Sequence, residues 1–261
     1  MKVLNREFSI DSFFESLKSA HNRILMLDYD GTLSPFTVDR DNANPYPGIR
    51  EILDRIIESG KTRLIIISGR QLNALEGLLN LKNKPEMWGC HGAEHYSSKN
   101  GYTSIQHPES TRRFLSGIAS WAEESHLNES IEIKPFGVAF HWRGLDDRRK
   151  NEIETKVEAV WNNKLADYDL ELTKFDGGLE IRNRKTGKNN ALNTILSVYH
   201  DDYAAAYLGD DYTDEDAFNA LGDKGLKALV KNESRPTAAD IILSPPEELI
   251  DFLKRWLNAV S

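Results

Sequence analysis

Two aspartates one residue apart, Asp28 and Asp30, leave an apolar run and enter a Gly31-Thr32 turn. The run, Ile24 to Leu27, reads as a buried parallel strand. Strand ends in open α/β sheets border the crevice where ligands bind, because neighbouring loops part there. Two carboxylates at such a point repel each other unless a cation joins them. One is then placed to attack as a nucleophile and the other to move a proton. An Asp-Gly pair that merely caps a strand is commonplace. Three further segments set this one apart.

The first is Ser68-Gly69-Arg70, which closes the β-branched run Leu64–Ile67. A hydroxyl and backbone amides at a helix start donate to a phosphate oxygen, although Ser-Gly is also an ordinary turn. The second is Lys188, after the turn Lys185-Thr186-Gly187. A cation there could neutralise phosphoryl oxygens, but lysines at helix starts are often only solvated. The third is Gly209 to Asp216, an acid-rich segment that follows the apolar strand Ala204–Leu208. Helix-start acids account for Asp214 to Asp216. They do not account for Asp210 and Asp211 at the strand end, where hard carboxylates suit Mg²⁺.

The elements that must carry these groups alternate. A helix capped by Ser9 carries Ile10, Phe13, Phe14 and Leu17, and the strand to Leu27 follows. Pro45 and Pro47 then introduce a helix carrying Ile49, Ile52, Leu53, Ile56 and Ile57, which Gly60 closes. Strand, helix, strand at this spacing predicts a doubly wound parallel sheet. After Tyr102 the pattern changes. Helices near 109–125 and 146–163 separate strands at 131–134, 138–142, 168–173 and 178–182, with turns at Gly137 and Asp176-Gly177-Gly178. The α/β pattern resumes with a helix from Gly187, strands at 204–208 and 226–230, and a last amphipathic helix from Pro246.

Of 261 residues, 39% are hydrophobic and 28% charged, a balance suited to a packed core. The net charge of −8 argues against nucleic acid, which needs basic stripes. One cysteine, Cys90, excludes an internal disulfide and a cysteine-rich zinc site, and reads as a small buried residue. No stretch approaches the length of a membrane span. With no secretory leader visible, a cytoplasmic protein is expected.

In this order the segments resemble the haloacid-dehalogenase (HAD) superfamily, whose phosphatases carry Asp-x-Asp-Gly-Thr, then Ser, Lys and Gly-Asp-Asp-x-x-Asp. Within it the chain resembles trehalose-6-phosphate phosphatases over nearly its full length. That resemblance rests on Leu27–Pro35, Ser68-Gly69-Arg70, Gly89-Cys90-His91-Gly92 and Glu132-Ile133-Lys134. It continues through His141-Trp142-Arg143, Leu179-Glu180-Ile181-Arg182 and Gly209–Phe218. The chain departs at Asn189, where the family usually has Gly, at Trp142 for Tyr, and at Cys90 for Ser.

The resemblance implies a HAD-like Rossmannoid core, a doubly wound parallel sheet over 1–104 and 179–261, with an inserted α+β cap over 105–178. The cap is expected to close by hinges near 103–106 and 176–179. It also implies Mg²⁺-dependent hydrolysis of trehalose 6-phosphate through a phosphoaspartate. Asp28 is then the nucleophile, Asp30 the acid and base, and Ser68 and Lys188 the phosphoryl clamp. Mg²⁺ falls to Asp28, Asp210 and the Asp30 carbonyl, with Asp211 or Asp214 in support. Glu132, Lys134 and Glu180 bind sugar hydroxyls, while Arg70, His91, Gly92 and Arg143 line or support the site. For Glu132 and Lys134 a cross-strand ion pair is the alternative, and for His141 and Arg143 purely structural partners. Other sugar phosphates, such as sucrose or glycosylglycerate phosphates, fit the same chemistry. A phosphoaspartate signalling switch is a reading of another class. It is disfavoured by Asp30 and by the insertion. Any trehalose-6-phosphate synthase partner is expected on a separate chain.

Overall fold

The computed structural model describes residues 1–261 except Val38, Asp176 and Asp201. The chain forms two compact units, Met1–Thr103 with Lys188–Ser261, and Ser104–Gly187. Along the opening of the first unit run β1 (Lys2–Val3), α1 (Ile10–Ser19), β2 (Asn22–Leu27), α2 (Ile49–Glu58), β3 (Arg63–Ile67), α3 (Leu72–Leu79), β4 (Glu86–Gly89), β5 (Glu94–Ser97) and β6 (Gly101–Ser104). The second unit holds α4 (Glu109–Glu124), β7 (Ile131–Lys134), β8 (Gly137–His141), α5 (Asp147–Trp161), β9 (Leu170–Phe175) and β10 (Gly178–Asn183). The first unit then resumes with α6 (Lys188–Leu196), β11 (Tyr203–Gly209), α7 (Tyr212–Leu221), β12 (Leu226–Val230), β13 (Ile241–Leu243) and α8 (Glu247–Val260).

Among the described residues the first unit carries a nine-stranded sheet ordered β1-β13-β12-β11-β2-β3-β4-β5-β6. Its centre, β13 to β4, is parallel, and antiparallel β1 and β5 flank it. From β2 the chain proceeds to β3 on one side, while β11 lies on the other. The carboxyl ends of β2 and β11 therefore border the point where strand order reverses. Alternation along each strand builds two cores. Leu25, Leu27, Leu64 and Ile66 pack with α1, α2, α3 and α8. Ile24, Met26, Ile65 and Ile67 pack on the other face with α6 and α7. Both faces are covered, which is why β2 and β3 read as unbroken apolar runs. Ser9 caps α1 as expected, its Oγ accepting from the Ser12 amide at 3.2 Å. Beyond Pro47, α2 starts at left-handed Gly48 (φ 88°).

The second unit is a four-stranded antiparallel sheet, β7-β8-β10-β9. Val138, Phe140, Leu179 and Ile181 pack against Ile118 of α4 and Ile153 and Val157 of α5. Cross-strand register puts Glu132, Ala139, Glu180 and Thr173 in one row, on the opposite face. Two expectations shift. The unit runs on to Gly187 instead of ending at 178, because β10 is an interior strand paired on both sides. The strand expected at 168–173 starts at Leu170, because Tyr168 ends a 3-10 turn and Asp169 is left-handed (φ 55°). Of the expected turn and hinge around 176–179, Asp176 lies outside the described residues. Among the described residues no helix is long and apolar enough to cross a membrane.

At the β3–β4 pairing, Arg63 grips Glu86 through two bonds of 2.8 and 2.9 Å. The Trp88 indole donates to the same carboxylate at 3.2 Å, and a His95 ring nitrogen lies 3.1 Å away. Burial alone would raise this carboxyl, but hydrogen bonds from His95 and Arg63 outweigh it and hold the pKa down to about 2. A depressed carboxyl contributes stability that is full above its ordinary pKa of 4.5 and is lost as pH falls towards about 2. Glu86→Gln is therefore expected to cost roughly 3 kcal/mol at pH 7 by urea unfolding. The gap from the parent should close between pH 4.5 and about 2. A gap constant over that range would assign the loss to packing.

Candidate active site

The nucleophile candidate is held by the sheet itself. The Asp28 amide donates to Leu208 O of β11 at 2.9 Å, carrying the β2–β11 pairing one residue past the strand. The chain then folds tightly, with the amides of Thr32, Leu33 and Ser34 all converging on Tyr29 O. Gly31 adopts φ 81°, and a Cβ there would lie 2.1 Å from Asp210 Oδ2. Only glycine permits both the left-handed turn and this approach.

Lys188 opens α6 and is 4% exposed. Its Nζ bridges Asp28 Oδ1 at 2.7 Å and Asp214 Oδ1 at 2.6 Å. Burial disfavours the ammonium, yet Asp214 and Asp28 outweigh it and raise its pKa, so the lysine stays charged. Burial pushes the Asp28 carboxyl the other way, to about 7, with Lys188 opposing and Asp214 adding repulsion. Asp210 is raised well above its ordinary range by burial and by Asp28, Asp214 and Asp211. Three buried carboxylates with one lysine are short of positive charge.

The carboxylates are not equivalent. Asp214 Oδ1 accepts from Lys188 and from the Tyr207 hydroxyl at 2.5 Å, while Oδ2 accepts from the amides of Asp210 and Asp211 at 3.0 and 2.9 Å. A carboxylate has about four lone-pair sites, so protein donors fill those of Asp214, and it shapes the loop. Contrary to the expectation from the sequence, the helix start does account for Asp211: it caps α7, accepting from the Tyr212 amide at 2.5 Å in a capping box with Asp214. Asp210 Oδ1, by contrast, is buried with no hydrogen-bond partner among the described residues. Carboxylate oxygens of Asp28, Asp210 and Asp214 lie within 4.8 Å of one another. An orphaned buried oxygen beside a second carboxylate fits a divalent cation with hard oxygen ligands.

Ser68, 1% exposed, follows β3, and its Oγ accepts from the Arg70 amide at 3.1 Å, leaving its own hydrogen to donate. Arg70 grips Asp30 at 2.7 and 2.6 Å and donates to Arg40 O at 2.7 Å. It supports the acid–base candidate and is itself 4% exposed. Cys90 and His91 are left-handed (φ 47° and 53°), and Gly92 follows at φ 98°. Such backbone costs on the order of 1–3 kcal/mol per non-glycine residue. The Cys90 and His91 amides donate to Arg70 O and Ser68 O at 2.8 and 3.0 Å, tying this turn to the Ser68 loop.

The remaining candidates belong to the second unit. Lys134 Nζ meets Glu180 Oε1 at 2.7 Å with both side chains 6% exposed. Glu132 Oε2 lies 2.7 Å from His141 Nε2. Arg143 and His141 line a cavity of about 370 Å³ with His126 and Arg149. The site residues missed in the sequence are Tyr207 and Thr32, whose hydroxyl reaches Asp28 Oδ2 at 3.4 Å. Tyr207, alone in an apolar strand, reads as core.

Solved structures place this fold among the haloacid-dehalogenase-like hydrolases. One from B. subtilis superposes with TM-score 0.61 at 14% identity, covering 88% of this chain and 98% of that one. The C-terminal domain of the C. albicans trehalose-6-phosphate phosphatase superposes with TM-score 0.83 at 22% identity, covering 99% of both chains. In sequence, the family described as trehalose-phosphatase matches residues 26–244. Trehalose-phosphate phosphatase B of Arabidopsis thaliana is 30% identical over 271 residues, 96% of this chain and 71% of that protein. A probable trehalose-phosphate phosphatase 4 of Oryza sativa is 31% identical over 265 residues, 95% and 70%. The chain belongs to the trehalose-phosphatase family, and it is a phosphoric monoester hydrolase.

Proposed function

We propose that this enzyme hydrolyses trehalose 6-phosphate to trehalose and inorganic phosphate in two steps, through a phosphoaspartate on Asp28. The observation that carries the reading is Lys188 Nζ, held 2.7 Å from buried Asp28 beside the open oxygen of Asp210. In the first step a carboxylate oxygen of Asp28 attacks phosphorus, and the sugar oxygen leaves with a proton from Asp30. In the second, Asp30 takes a proton from water, which attacks the acyl phosphate, releases phosphate and restores Asp28. Ser68 and Lys188 hold the phosphoryl oxygens. Asp28, Asp210 and the Asp30 carbonyl would hold Mg²⁺, which supplies positive charge against the crowded carboxylates and the phosphoryl group. Asp211 and Asp214 support that set through the loop.

For the sugar, the family resemblance assigns Glu132, Lys134 and Glu180, with His91, Gly92 and Arg143 at the entrance. Support comes from the second sheet, which carries Glu132, Lys134 and Glu180 on its polar face. A lysine ammonium and a glutamate carboxylate are the donor and acceptor types that pair with sugar hydroxyls, and a smaller ligand that leaves such groups unpaired is rejected.

Phosphate release from trehalose 6-phosphate, glucose 6-phosphate, sucrose 6-phosphate and mannosyl-3-phosphoglycerate tests the reading, with Mg²⁺ and with EDTA. The disaccharide ester of trehalose should stand out in kcat/KM and fall silent in EDTA. Glu180→Gln, which keeps an acceptor for Lys134, should lower that kcat/KM about 10- to 100-fold, the worth of a charged hydrogen bond. Turnover of p-nitrophenyl phosphate should be unchanged. Preference for another ester would retain the chemistry and replace the substrate.

A further inference from the structure

We infer that Arg235 is a positioning residue for the cation site, through the backbone of the acidic loop. The inference rests on the reading that Asp28 and Asp210 hold Mg²⁺. Arg235 lies beyond β12, well past every motif that the sequence offers. Its Nη2 donates to Asp211 O at 2.8 Å and to Asp210 O at 3.3 Å. Nη1 donates to Pro236 O at 3.0 Å and pairs with Glu215 Oε1. The guanidinium also lies over the Tyr212 ring, 4.9 Å from its centroid. Glu215 is anchored in turn, its Oε2 accepting from the Ala238 amide at 2.8 Å. The Arg235 side chain is 11% exposed.

Together with Asp214, this arrangement fixes one peptide group from both sides. The peptide joining Asp210 to Asp211 gives its N–H to Asp214 Oδ2 at 2.9 Å and its C=O to Arg235. The preceding amide, that of Asp210, is held by the same Asp214 oxygen at 3.0 Å. The Asp210 backbone is therefore clamped on both flanks, while its Oδ1 has no hydrogen-bond partner among the described residues. A ligand whose backbone cannot rotate presents its oxygen without losing further freedom when the cation arrives.

Charge and clamp act in opposite directions. A guanidinium near the loop repels a divalent cation, so charge alone predicts that removing Arg235 tightens binding. The clamp predicts the reverse, and it also separates Arg from Lys, since one ammonium does not reproduce a planar fork whose Nη2 holds the two loop carbonyls while Nη1 is anchored on Pro236 O and Glu215.

The test is calorimetric titration of the substrate-free enzyme with Mg²⁺, comparing parent, Arg235→Gln, Arg235→Lys and Asp210→Asn. Metal-free melting temperatures establish that each variant folds. Both Arg235 variants should bind Mg²⁺ about tenfold more weakly, the scale of losses from outer-shell changes. In turnover, the Mg²⁺ concentration for half-maximal rate should rise by the same factor, with kcat recovering at saturating Mg²⁺. Unchanged or tighter binding by Arg235→Gln overturns the inference, as does parental binding by Arg235→Lys. If Arg235→Gln does not fold, Arg235→Lys and Glu215→Gln, which removes the charge that anchors the guanidinium, decide the matter alone. A parent that does not bind Mg²⁺, or Asp210→Asn binding it as the parent does, sinks the metal reading itself.

Discussion

Asp28→Asn is expected to abolish phosphate release, by on the order of 10⁶-fold, the scale seen when a nucleophile is removed. The substitution conserves size, and the amide oxygen still accepts from Lys188, which donates to Asp28 at 2.7 Å in the parent. Folding should therefore survive, and what is lost is a carboxylate able to form an acyl phosphate. An amide cannot do so. Rapid quenching of parental turnover should trap one phosphoryl group on the peptide containing Asp28, and the variant should show none. A variant retaining a tenth of parental activity would move the nucleophile elsewhere.

Gly31→Ala should be nearly as damaging without touching any ionisable group. At φ 81° an L-residue costs roughly 1–2 kcal/mol. The larger effect is steric, because the new methyl would lie 2.1 Å from Asp210 Oδ2. Asp210 must move, and its displacement by about an ångström should lower kcat/KM on the order of 10²-fold. Mg²⁺ affinity measured without substrate should fall in parallel. Parental kinetics in this variant would show that Asp210 is not part of the working site.

The pieces legible in the sequence were those with local signatures. Asp28, Asp30 and Asp210 stand out because acids at the ends of apolar strands have no helix terminus to stabilise them. The two-faced burial of β2 and β3 shows in their uninterrupted apolar runs. Partner choice is another matter, since it depends on the three-dimensional approach of distant residues. Asp214 reads as a helix-start acid, and only the family resemblance sets it beside the metal in support; its four protein donors, among them Lys188 and Tyr207, have no local signature. The resemblance places Arg70 at the site, lining or supporting it, without naming a partner, and in the structure it holds Asp30. Arg235 lies in a loop with no periodicity at all. Strands β5 and β6 are short, partly exposed edge elements, and nothing in their composition separates them from loop.

The sheet order has a consequence for how the chain is made. β2 is sandwiched between β3, its near neighbour in sequence, and β11, which follows the whole of the second unit. On the ribosome the half-sheet β2-β3-β4 must wait with one flank of β2 unpaired until residues 203–209 emerge. An exposed apolar strand edge invites pairing with another chain. The second unit has its own core and can collapse during the delay. Its collapse shortens the effective tether between β2 and β11 and so eases closure of a very long loop. The same pairing that brings Asp28 beside Asp210 thus waits until the second unit has been made, and the sheet itself is completed later still, when β12 and β13 emerge and β13 pairs with β1.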